Sequence, residues 1–207
     1  CVLLTANGQL FCAGGDLKAV GGAPEKAAGK IKSMADNLHR ATSSLARMNK
    51  PFIVAVNGMA AGAGFSIAVT GDFVIAAESA KFTMAYTAAG LSPDGSSTYF
   101  LPRLIGMRKT MDLMITNRRL TAQEAEQWGL INQVVADEAL QATAMTLAQK
   151  LANGPTDAFA ITKKLLLCKT LPSSENLDFN TIVLNFLNDS LQVKSISGFN
   201  KQAKSNS

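Results

Sequence analysis

Asp94 is a carboxylate on a tight turn, in the run Gly90-Leu91-Ser92-Pro93-Asp94-Gly95-Ser96-Ser97-Thr98-Tyr99, just before an apolar helical stretch. Two Gly/Ala-rich turns lie upstream, around Ala13 and Ala63. Turns of that composition can aim free backbone N–H groups at a ligand oxygen. One base and two such donors form a set suited to removing a proton beside a thioester carbonyl. For Asp94 the plain alternative is a turn former, since Pro-Asp-Gly is a common turn sequence. For Ala13 and Ala63 it is tight backbone packing, which is compatible with a donor role.

The elements that must position these residues can be read from periodicity. Val2-Leu3-Leu4 reads as a buried strand entering the turn Phe11-Cys12-Ala13-Gly14-Gly15-Asp16. Ile31, Met34, Leu38, Leu45 and Met48 recur at helical spacing, a stripe that reads as core. Lys50-Pro51 stops that helix, and Phe52 to Val56 is the clearest strand, ending at Asn57-Gly58. Ala60 to Thr70 is small and apolar and reads as a buried helix. Short strands follow at Phe73 to Ala76, at Lys81 to Thr83 and at Asn132 to Val135. Thr121-Ala122-Gln123-Glu124 is a capping box leading to Trp128, which reads as a core anchor. Helices then dominate, over about Glu138–Ala152, Pro155–Cys168 and Glu175–Leu191. This order gives an α/β class: residues 1–135 as the α/β core and 136–207 as a helical C-terminal region of the same domain.

Bulk properties narrow the function classes. Twenty basic residues against 15 acidic give a net charge of +5, but the basic residues are dispersed and aromatics are few, so nucleic-acid binding is disfavoured. The small excess suits an anionic ligand. Cys1, Cys12 and Cys168 show no metal or disulfide spacing and there is one histidine, so a structural zinc site is not expected. Free thiols imply a reducing, intracellular compartment such as a cytosol, a mitochondrial matrix or a peroxisome. No apolar run is long enough to span a bilayer. The first residue is Cys within a strand-like run rather than Met, which implies a chain that begins further upstream.

The ordered set of these turns resembles the crotonase (enoyl-CoA hydratase/isomerase) superfamily. The segments that carry the resemblance are Phe11 to Leu17, Lys50-Pro51 through Asn57-Gly58 to Gly62-Ala63-Gly64, and Asp72. They continue with Ala80-Lys81-Phe82, Leu101 to Gly106, and Leu120-Thr121 to Trp128-Gly129-Leu130. The resemblance implies a spiral of ββα turns, a C-terminal trimerisation region giving a homotrimer or dimer of trimers, and acyl-CoA thioester substrates. It implies no metal, flavin or nicotinamide; coenzyme A arrives as part of the substrate. It also implies an oxyanion hole of two backbone N–H groups, which match Ala13 and Ala63, where Ala63 stands in place of the usual glycine. Gly14, Asp16, Gly62, Tyr86 and Leu91 are the substrate-binding positions that follow. For Asp16 an N-cap role is preferred to catalysis.

Within the family, classical hydratases carry two glutamates, and the matching positions here are Ser66 and Tyr86. The acid is instead Asp94. That resembles the enoyl-CoA isomerase branch, including ring isomerases. A single carboxylate can then take a proton at C2 and return it at C4, and an apolar surround of Leu91, Phe100 and Tyr86 is expected to raise its pKa. The 4-chlorobenzoyl-CoA dehalogenases also place an Asp here and share Thr116-Asn117-Arg118, but the tryptophan and histidine that accompany it there match Tyr86 and Thr87. A non-catalytic acyl-CoA-binding module is the reading from another class. Ser66 reads as helix packing, His39 as a solvated surface residue, and Lys18, Phe199 and Lys201 as possible contacts to coenzyme A.

Overall fold

A computed structural model describes residues 1–16 and 24–167. Cys168, the helix expected over Glu175–Leu191, and the positions Lys18, Phe199 and Lys201 lie outside the described residues. Cys1–Lys163 form one compact unit. A second unit is Lys164–Ser207, of which the last turn of one helix is described.

Strands come in sequential pairs whose members go to different sheets. The first pair is β1 (Val2–Leu4) and β2 (Leu10–Cys12), followed by helix α1 (Pro24–Arg47). The second is β3 (Phe52–Val56) and β4 (Met59–Ala61), followed by α2 (Ala63–Ala68). The third is β5 (Phe73–Ala77) and β6 (Lys81–Thr83), followed by α3 (Ser97–Thr116). Next come β7 (Leu120–Thr121), α4 (Ala122–Gln127) and β8 (Gln133–Val135), then α5 (Leu140–Ala152) and α6 (Thr156–Leu167). One sheet runs β1-β3-β5-β8, entirely parallel, with Val2 opposite Phe52, Ile53 opposite Phe73 and Ile75 opposite Gln133. The other runs β2-β4-β6-β7, parallel except for the β6–β7 pair, with Met59 between Leu10 and Lys81. This repetition of two strands and a helix is the spiral that the sequence implied.

The core explains the order. Every residue of β3 is fully buried, as a central parallel strand covered on both faces must be. Around it lie Phe65, Ile75, Phe82, Met84, Leu101 and Leu113. Asp72, at the entry to β5, accepts the Phe52 N–H at 2.8 Å and the Lys163 ammonium at 2.7 Å on one oxygen. Lys163, buried on α6, also donates to the Leu45 carbonyl at 3.1 Å, so one ion pair ties α6 to the end of α1 and the start of β3. The capping box forms in full: Thr121 Oγ1 accepts from Glu124 N, and the Glu124 carboxylate accepts from Thr121 N. Trp128 packs on the core with Lys109 and Arg118 against its ring.

Three short strands escaped the periodicity: β2, β4 and the two-residue β7. Residues 60 to 70 do not form one helix: the first part is β4, and the helix begins only at Ala63. Three-residue alanine-rich strands carry too little side-chain signal to separate from helix. β2 is likewise only three residues long. Helix α2 packs directly on β2, and a Cβ on Gly64 would lie 2.3 Å from the Cys12 carbonyl oxygen. Gly64→Ala therefore requires the backbone to move apart. It is expected to destabilise the fold by about 1–3 kcal/mol, read as a lower midpoint in chemical denaturation.

Candidate active site

A single cleft of about 180 Å³ gathers most of the residues singled out from sequence. Ala13, Gly14 and Gly15 follow β2, and Gly62 and Ala63 open α2. Ala85 and Tyr86 follow β6, and Leu91 and Asp94 belong to the loop before α3. The opposite wall is apolar and comes from α1: Ile31, Met34, Ala35 and Leu38. Asp16, the next position along, is exposed and is not part of this lining.

The two Gly/Ala turns touch backbone to backbone. A Cβ on Gly14 would sit 3.1 Å from the Ala61 carbonyl oxygen and 3.6 Å from the Ala63 nitrogen. Gly14 also has φ +102°, a conformation that side chains disfavour. Gly62 has φ 52° and precedes the helix. Ala63 is the first helical residue and lies outside the positive-φ region, so its methyl group costs the turn nothing. As a first-turn residue its N–H has no intrahelical acceptor.

Asp94 is fixed through its own backbone. Its carbonyl accepts from Ser66 Oγ at 2.8 Å and from Ser97 Oγ at 2.8 Å. Its side chain is 20% exposed, and Oδ1 accepts the Gly95 N–H at 2.6 Å. Gly95 is needed at this point: with φ +62°, a Cβ there would lie 2.7 Å from Ser66 and 3.0 Å from Leu38. The bare glycine lets α1 and α2 close on the turn. Among the described residues that line the cleft, Asp94 is the one carboxylate.

Ser66 is fully buried and its Oγ lies 3.1 Å from the Tyr86 hydroxyl. The single Ser66 hydroxyl hydrogen goes to the Asp94 carbonyl, so Tyr86 O–H donates to Ser66. Burial pushes the Tyr86 phenol above its ordinary value; the nearby Asp94 and Cys12 add to this and the Ser66 hydrogen bond opposes it. The short 3₁₀ turn after Tyr86 is clamped from α3: Thr87 Oγ1 donates to the Met114 carbonyl at 2.8 Å, and Asn117 Nδ2 donates to Thr87 Oγ1 at 2.5 Å.

His39 is a half-exposed surface residue, as expected, and its Nε2 also meets Asp94 Oδ1. Two expectations need correction. Met34 and Leu38 line the cleft rather than the core, whereas Leu45 and Met48 do pack on the core. Phe100 packs on the core and against Tyr99 and is not among the residues that line the cleft, whereas Leu91 and Tyr86 are. Ala85, with φ 55°, is a lining residue that went unnoticed. A non-glycine at positive φ leaves no mark in a sequence.

The comparisons decide the family. Residues 1–205 match the Enoyl-CoA hydratase/isomerase family. The chain belongs to that family. A 1,2-epoxyphenylacetyl-CoA isomerase of Escherichia coli is 43% identical over 167 residues, covering 80% of this chain and 64% of that protein. A 4-chlorobenzoyl coenzyme A dehalogenase of an Arthrobacter species is 35% identical, over 78% of this chain and 59% of that protein. The chain thus spans 59–64% of the length of these curated relatives. A crystal structure of an enoyl-CoA hydratase from a Polaromonas species superposes with a TM-score of 0.82 at 33% identity, covering 95% of this chain and 77% of that one. The fold is therefore of the crotonase type. Among the described residues no helix is long and apolar enough to cross a membrane, and no cluster of three or more His, Cys, Asp or Glu is arranged to hold a metal ion.

The Tyr86 shift has a signed consequence. A phenol whose folded pKa is raised contributes fully below its unfolded value, and that contribution is lost as pH rises through the folded value. The chain has two tyrosines, so ultraviolet titration of a Tyr99→Phe variant reads Tyr86 alone. It should ionise later than a free phenol, and Tyr86→Phe should lessen the alkaline loss of stability.

Proposed function

We propose that this chain carries the reaction centre of an acyl-CoA isomerase that moves a carbon–carbon double bond from the 3 to the 2 position. The observation behind it is that Asp94 faces the same cleft as both Gly/Ala turns, with no second carboxylate among the described lining residues. In this reading Asp94 removes a proton from C2. The thioester oxygen takes the developing negative charge and receives the N–H groups of Ala13 and Ala63. The proton returns from Asp94 to C4 as the C2=C3 bond forms and the C3=C4 bond is lost. Each oxyanion donor is worth roughly 3–4 kcal/mol of transition-state stabilisation. Ile31, Met34, Leu38 and Leu91 would border the acyl group, with a thioether that adapts to irregular shapes.

Addition of water fits less well. The positions of the two hydratase glutamates are Ser66 and Tyr86, which are hydrogen-bonded to each other and have no carboxylate. The isomerase name of the 43% identical relative points the same way. A homotrimer belongs to the same proposal and is read by light scattering.

The test is turnover of 3-enoyl-CoA, crotonyl-CoA and 4-chlorobenzoyl-CoA in parallel. Isomerisation of the first is expected, and Asp94→Asn should lower kcat by about 10²–10⁴-fold, the usual contribution of a general base, with a much smaller change in KM. Turnover of crotonyl-CoA alone, or full activity in Asp94→Asn, would overturn the reading.

A further inference from the structure

One contact at the cleft has no part in the chemistry above. His39, the chain's single histidine, places Nε2 against Asp94 Oδ1. The Gly95 N–H is donated to that same oxygen at 2.6 Å. Among the described residues both side-chain contacts of Asp94 fall on Oδ1, and Oδ2 is held by neither. Two groups fixed on one oxygen set the plane of a carboxylate and leave the other oxygen as the site of proton uptake.

His39 also faces outward. Its ring is 54% exposed, against 20% for Asp94. Beside the cleft, α1 presents a polar groove lined by Lys32, Ser33, Asp36, His39 and Arg40, while Met34, Ala35 and Leu38 of the same helix line the apolar cleft. The His39–Asp94 contact links the two. Among the described residues the charged groups around the ring are Lys32, Asp36 and Arg40 on α1 and Asp94 from the facing turn. Asp36 is engaged by Lys32 at 2.7 Å, and Arg40 by Asn37 at 2.5 Å. Asp94 remains the acid directly against the ring.

We propose that His39 is a positioning residue for Asp94: its ring against Oδ1 fixes the carboxylate so that Oδ2 is the oxygen presented to the C2 proton. The proposal rests on the reading of Asp94 as the base. His39 takes no part in the proton transfer itself; it acts by orienting the group that does.

The experiment compares wild type with His39→Leu, His39→Gln and Asp94→Asn. Two assays run together: isomerisation of 3-enoyl-CoA, and exchange of the C2 protons of butyryl-CoA in deuterated water, which needs only a base and a stabilised enolate. A half-exposed helix residue tolerates these changes, and circular dichroism checks folding. His39→Leu should lose at least about tenfold in kcat and in exchange rate with KM within about twofold. His39→Gln, which keeps an N–H donor, should recover much of that loss. Wild-type rates in His39→Leu, or no recovery in His39→Gln, would overturn this inference and leave the base reading intact. Full activity in Asp94→Asn, or no exchange in wild type, would instead overturn the base reading and this inference with it.

Discussion

The cleft depends on a contact between two stretches of bare backbone. The turn after β2 and the turn before α2 come so close that a Cβ on Gly14 would lie 3.1 Å from the Ala61 carbonyl oxygen. Gly64 has no room for a side chain beside Cys12. Close-packed interiors transmit displacement rather than absorb it, so a single added carbon here would separate the two turns. Their separation in turn sets how far apart the N–H groups of Ala13 and Ala63 lie. The sheets exist to hold this spacing: β2 and β4 are adjacent parallel strands, and each runs into one of the two turns.

A second layer places the carboxylate. Ser66 on α2 holds the Asp94 carbonyl, Gly95 admits both Ser66 and Leu38, and α1 closes over the top. Asp94 is thus positioned by hydrogen bonds to its main chain and by contacts on Oδ1. Ser66 and Tyr86 form a neutral hydrogen-bonded pair, and Ser66 supports the acid on the neighbouring loop.

The sequence made the turns and the long elements legible for physical reasons. Asp94, Gly14 and Gly62 stood out because turns demand particular residues, and Phe52 to Val56 because a strand buried on both faces is uninterrupted in apolar character. What stayed hidden depends on three dimensions. Met34 and Leu38 show helical period whether they face a core or a cavity, and no periodicity separates the two. His39 sits one residue past the apolar stripe and looked solvated, because its partner is 55 positions away (94 − 39 = 55) on another element. β4 was concealed by alanines that suit either state.

The lone tryptophan gives this molecule a built-in optical reporter. Trp128 follows α4 with the cations of Lys109 and Arg118 at 4.8 and 5.0 Å from its ring centre, and it is not among the residues that line the cleft. Its emission should follow loosening of that corner and stay nearly silent when an acyl thioester enters. Fluorescence and ligand titration would then report on separate parts of the same chain.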